Sequence, residues 1–109
     1  MSSVLDRQIS EAAFQQQVIH LAKLRGWLVA HFRVAQNSKG RWRTPVAGDG
    51  AGFPDLVLVR DRVIFAELKS EKGRTSAAQD EWMSSLLKAG AEAYLWRPRN
   101  FPEIEVILK

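Results

Sequence analysis

The sequence predicts an α/β fold, a small mixed β-sheet flanked by helices. Three observations predict it. Two segments, 10–26 and 76–90, carry apolar residues at helical spacing. Four short runs rich in Val, Leu, Ile and aromatic residues lie between or after them. The order of the segments, α-β-(loop)-β-β-α-β, interleaves helices with strands, as a sheet flanked by helices requires. At 109 residues the chain is expected to form one domain over 1–109. Hydrophobic residues at 46% and charged residues at 26% are ordinary globular usage, which excludes disorder, collagen and coiled coil.

Each element has a local reason. Ser10 is a suitable N-cap, and Phe14, Val18, Leu21 and Ala22 share one helical face. Gly26 is placed to stop that helix, and Trp27 to Phe32 reads as a strand. Val34 to Gly52 holds four Gly, one Pro and three bases, so it reads as a long exposed loop or a hairpin. Asp55 to Val59 is nearly all apolar, which predicts a buried strand. Asp61-Arg62 is a polar turn, and Val63 to Lys69 is the next strand, completing a hairpin. Glu71 to Thr75 is a basic loop. Ser76 to Ala89 is the second helix, ended by Gly90, and Ala93 to Trp96 is a strand. Ile104 to Leu108 fits a short strand or a terminal helical turn. Trp27, Trp82 and Trp96 are expected in the core.

The composition removes whole classes of chemistry. The chain has no Cys, which excludes disulfides, thiolate metal sites and a cysteine nucleophile, and fits a reducing, cytoplasmic setting. No apolar run approaches the roughly 20 residues of a membrane span, and Met1 to Ser10 shows no signal-peptide core. Net charge is +4, unevenly spread: Ala12 to Gly48 carries six bases and no acid, whereas Asp49 to Lys109 is balanced. A basic half points to a polyanion partner.

Asp55, Glu67 and Lys69 are the residues that carry chemistry. Period two puts Glu67 and Lys69 on one strand face, about 6.8 Å apart along the strand. If the two strands form a hairpin, the start of the first meets the end of the second, and Asp55 joins them. Each acid stands in a segment too apolar to want one. Two carboxylates and a backbone carbonyl are hard oxygen ligands suited to Mg²⁺ or Mn²⁺. Such a set supports hydrolysis of a phosphodiester, with the lysine orienting water and offsetting phosphate charge. Read alone, the Glu/Lys pair also fits a solvated strand end, and Asp55 a turn residue.

Gly52-Phe53-Pro54-Asp55-Leu56-Val57 followed by Phe65-Ala66-Glu67-Leu68-Lys69 resembles the PD-(D/E)xK nuclease signature. More narrowly the chain is similar to the VRR-NUC domain, a nuclease module found free-standing in phages and bacteria and fused within larger repair nucleases. The likeness runs from about Ser10 to Pro98. It takes in Glu11 to Gln15, Gly26-Trp27, Lys72-Gly73-Arg74, Ser76 to Trp82, Ala89-Gly90-Ala91 and Trp96-Arg97-Pro98. It implies a restriction-endonuclease-like core. It implies Asp55 and Glu67 as metal ligands helped by the Leu68 carbonyl, and Lys69 as the catalytic lysine. It also implies Glu11 as an acid completing the metal and water site, and Gln79 as a glutamine beside it. Glu11 equally suits the first turn of a helix, where an acid meets the macrodipole. Gln79 equally suits the N3 place of a capping box begun by Ser76. The two roles of Gln79 are compatible.

Arg33, Lys39, Arg41, Arg43, Lys72 and Arg74 are expected to track DNA phosphates around that site. Trp42 is expected either to stack on a base or to fold onto the core. His31 shares a face with Arg33 and either approaches the site or satisfies a core hydrogen bond. The resemblance implies a Mg²⁺- or Mn²⁺-dependent endodeoxyribonuclease on branched DNA, above all a homodimer cutting four-way (Holliday) junctions in DNA repair. No membrane and no small-molecule substrate are expected. The alternatives are a flap-directed, nicking or other nuclease specificity, and a DNA-binding module without catalysis.

Overall fold

A computed structural model describes residues 9–32, 35–36, 42–43 and 47–109, with backbone alone at 35–36 and 42–43. The chain runs α1 (Glu11–Leu24), β1 (Leu28–His31), β2 (Ala35–Gln36), β3 (Trp42–Arg43), β4 (Leu56–Val59) and β5 (Val63–Leu68). It continues through α2 (Ala77–Lys88), β6 (Glu92–Trp96), a 3₁₀ turn (Pro98–Asn100) and α3 (Phe101–Ile107). The main sheet has the order β1-β4-β5-β6. β1 and β5 are antiparallel to β4, and β6 is parallel to β5 after the α2 crossover. The expected mixed sheet flanked by helices is present. The stretch predicted as loop or hairpin contains the antiparallel β2–β3 pair.

α1 begins where Ser10 Oγ accepts the Ala13 N–H at 3.1 Å. It ends where Gly26 takes φ +84°, a left-handed turn that costs glycine little. Its apolar face, Phe14, Val18 and Ala22, is fully buried. That face covers one side of the sheet, where Leu56, Leu58, Ile64, Ala66 and Leu68 alternate inward. Each fully buried Leu, Ile or Phe side chain contributes about 1.5–3 kcal/mol. Trp27, Trp96, Ile104 and Leu108 close the same core.

The other side is thinner. DLVLV reads as buried on both faces, yet β4 alternates: Leu56 and Leu58 are buried, while Val57 is half-buried and Val59 exposed. The cause is α2, none of whose residues is fully buried. Its Trp82 packs edge-on against Phe53, itself edge-on to Phe65. Trp82 is therefore half-buried rather than core, unlike Trp27 and Trp96. Ile104 to Leu108 resolves as helix: Ile104 and Leu108, one turn apart, both point into the core.

Candidate active site

Asp55 immediately precedes β4, and the register Leu56↔Ala66 sets it beside Glu67 on β5. Ladder pairing of the two central strands stops there. The Leu68 N–H, left without a strand partner, donates to Asp55 Oδ2 at 2.9 Å. The Phe32 N–H donates to the Asp55 carbonyl at 2.9 Å, so both neighbouring strands fix the aspartate.

Glu67 is 3% exposed, the one buried charged residue among those described. Gln79 Nε2 donates to Glu67 Oε2 at 2.6 Å. Glu67 Oε1 is buried with no hydrogen-bond partner among the described residues. Lys69 Nζ lies 3.9 Å from Glu67 Oε2 and 3.9 Å from Glu11 Oε1. Five sequence-predicted residues, Glu11, Asp55, Glu67, Lys69 and Gln79, thus meet at one end of the sheet. The first turns of α1 and α2 meet there too, and helix N-termini favour anions.

Gln79 combines its two expected contacts. Its N–H donates to Ser76 Oγ at 3.2 Å, and its Oε1 accepts the Ser76 N–H at 2.8 Å, which closes a capping box. The amide nitrogen remains for Glu67. Helix capping and the grip on the carboxylate are one piece of geometry.

The electrostatics are those of crowded acids. Burial pushes the Glu67 carboxyl up to about 8, and the charge of Asp55 adds to the rise. Burial also raises Asp55, opposed first by the Leu68 N–H. Burial raises Glu11, with Lys69 pulling it back.

The donor set fits a hard divalent cation. It has a buried carboxylate oxygen without a donor, a second carboxylate against it, and hydrolytically stable oxygen ligands only. Among the described residues no group of three or more His, Asp or Glu is placed to hold a metal ion. An open set of two carboxylates suits Mg²⁺, which keeps several of its waters.

The basic residues divide. Lys72 and Arg74 are exposed on the loop that follows Lys69. Arg33, Lys39 and Arg41 lie outside the described residues, and so do the side chains of Trp42 and Arg43. His31 faces Gln15, Nε2 to Oε1 at 3.2 Å, and lines a groove with Asp55.

Sequence reasoning gave Arg97 no role of its own. Its Nη1 donates to the carbonyls of Ser70 (2.6 Å), Gly73 (2.7 Å) and Glu71 (3.2 Å), pinning the loop after Lys69. The parallel register, Leu68↔Trp96, sets residue 97 beside residue 69.

A mixed sheet whose two central strands end in Asp55 and in Glu67-Leu68-Lys69 has the architecture of the restriction-endonuclease-like nucleases. The family model described as the VRR-NUC domain matches residues 33–100, more than half of the chain, and the chain belongs to that family. It is therefore a nuclease-type domain that acts on DNA. The matched span holds Asp55, Glu67, Lys69 and Gln79 and begins after α1, so Glu11 lies outside it. A search of curated proteins and a search of solved structures each returned no match. No described helix is long and apolar enough to cross a membrane.

Proposed function

We propose that this protein is a divalent-cation-dependent endodeoxyribonuclease that acts as a homodimer on four-way DNA junctions. The observation that carries the hydrolytic reading is Glu67: a buried carboxylate with an unpartnered oxygen, pressed against Asp55 and 3.9 Å from an ammonium. A protein that only bound DNA would gain nothing from it, because carboxylates repel phosphate without a cation between them.

Asp55, Glu67 and the Leu68 carbonyl would hold Mg²⁺ or Mn²⁺, with Glu11 reaching it through water. When bound, that ion supplies Lewis-acid polarisation of the phosphate and an acidified water. The chain's own residues do the rest. Lys69 donates to the attacking water or to a phosphate oxygen, and Glu11 holds the lysine from its other side. Gln79 fixes the Glu67 rotamer. Water attacks phosphorus and gives up a proton to solvent, the P–O bond to the leaving deoxyribose oxygen breaks, that oxygen takes a proton from water, and no covalent enzyme intermediate forms. Lys72 and Arg74, exposed on the loop after Lys69, would meet flanking phosphates.

Among the described residues one chain carries one such cluster. Symmetric incision of two strands needs two, which a twofold dimer supplies. The test is cleavage of labelled four-way junction, flap, duplex and single-stranded DNA in Mg²⁺, Mn²⁺ or EDTA, with Lys69→Ala alongside. Paired symmetric cuts on the junction, lost in EDTA and in Lys69→Ala, are expected. Cuts confined to flaps or plain duplex would discard the junction assignment. A gel shift without cleavage in any metal would discard the nuclease mechanism.

A further inference from the structure

A groove of about 380 Å³ opens beside the carboxylates, between the first turns of α1 and the end of β1. Glu11, Gln15, Gln16, His31, Phe32 and Asp55 line it, so it shares two walls with the acidic cluster. Gln15, Gln16, His31 and Phe32 have no part in the hydrolytic mechanism above.

Phe32 is the unusual member. It is 44% exposed, although it sits one residue beyond a strand and next to the site. It is also held firmly. Its N–H is bonded to the Asp55 carbonyl, and its ring meets Phe53 edge-on at 5.3 Å and 87°. An aromatic ring fixed in orientation and left partly open to solvent, beside a phosphodiester-cleaving site, is a stacking platform. The charge of the groove selects what it takes. Two carboxylates in its wall repel phosphate, and amide and imidazole groups fill the rest. A neutral, flat, hydrogen-bonding group suits it, with the phosphate left to Lys69.

We propose that this groove is a nucleotide subsite: Phe32 stacks on the base adjoining the scissile phosphate, and Gln15 and His31 hydrogen-bond the same nucleotide. The subsite rests on the nuclease reading and adds a substrate class to it. A base must leave its stack to reach Phe32, which costs least beside a branch, a nick or a frayed end. Continuous duplex is therefore the poorer substrate, and the discrimination sits in binding.

The test places a single abasic residue at each of the two positions on either side of the cut bond, one oligonucleotide at a time. With the wild-type protein, one position is expected to raise KM roughly tenfold while kcat stays near its value on intact DNA. Phe32→Ala should raise KM on intact DNA by a similar factor and lose nothing more on the abasic substrate. Phe32→Trp should keep the wild-type KM. Should Phe32→Ala fail to fold, the abasic series on the wild type decides alone. Wild-type cleavage that is indifferent to all four abasic positions would overturn the subsite and leave the nuclease standing. Absence of wild-type cleavage on every substrate would overturn both.

Discussion

The two ends of the main sheet handle charge in opposite ways. At the end beyond Leu68, three carboxylates and a lysine are drawn into partial burial, and Glu67 Oε1 has no hydrogen-bond partner among the described residues. At the other end, the turn between β4 and β5 holds Arg60 and Arg62, whose guanidinium groups reach backbone carbonyls. Arg60 donates to the carbonyls of Arg25 (2.9 Å) and Lys109 (3.1 Å), and Arg62 to that of Ile107 (2.8 Å). Arg25 donates to the Glu105 carbonyl, and the Trp27 indole to that of Leu108. Both arginines of the turn lie over the Trp27 ring. Carbonyls at the end of α3, which a helix leaves without partners, are thus capped by cations. The arginine end ties α3 to the sheet. The unsatisfied end stores repulsion that a ligand can relieve.

The sharpest way to break that contrast is Glu67→Gln. The amide keeps the shape and the bond to Gln79, and offers Asp55 a donor in place of a charge. Cleavage should fall by at least about 100-fold. Stability should move the other way. The folded Glu67 carboxyl titrates near 8 against 4.5 for the free group, so the folded state holds its proton longer. Its stabilising contribution is complete below 4.5 and is lost as pH rises through about 8. In EDTA, Glu67→Gln should melt on the order of 5 °C above the wild type at pH 8.5, and near it at pH 5. A melting difference that does not change with pH would mean that Glu67 is not strained by its charge.

Gly52→Ala comes next. Gly52 has φ +84°, and a Cβ there would stand 2.5 Å from the Ala78 backbone carbon and 2.7 Å from its Cβ. The loop carrying Asp55 thus lies directly on the first turn of the helix carrying Gln79. The variant should lose about 2–4 kcal/mol of stability and a further ten- to hundredfold in cleavage, as Asp55 and Gln79 move apart. Gly48→Ala is the comparison: its φ is +63° but its Cβ would meet nothing within 4 Å. It should cost about 1–2 kcal/mol for backbone alone and leave cleavage unchanged. Equal cleavage losses in both would remove the link between loop and helix.

These two ends were not equally legible in the sequence. Asp55, Glu67 and Lys69 stood out because each sits where an apolar strand does not want charge, and a hairpin brings them together by register alone. α1 and α2 were legible from caps and spacing. The thin second layer was not, because LVLV looks the same whether a helix buries it fully or covers it loosely. Ile104 and Leu108 fitted strand or helix equally, since a pair four residues apart satisfies both periods in so short a segment. Arg60, Arg62 and Arg97 were unreadable as supports. Their partners are backbone carbonyls from 24 to 49 residues away, which no local pattern encodes.

Arg60→Ala tests the arginine end. It removes two bonds to carbonyls and a guanidinium 4.5 Å above the Trp27 ring. A loss of about 1–3 kcal/mol is expected, seen in thermal or urea unfolding, with cleavage at 25 °C unaffected. Asp61→Ala is its measure. Asp61 also pairs with Arg60, Nε to Oδ1 at 3.1 Å, and that bond holds its carboxyl below the usual range. Asp61 is fully solvated, however, and an exposed ion pair gains little over water. Its melting temperature should shift by less than about one degree. The same arginine would then matter through its carbonyls and its tryptophan, and hardly through its salt bridge. A drop in Asp61→Ala as large as that in Arg60→Ala would reverse this order and make the ion pair the clasp on α3.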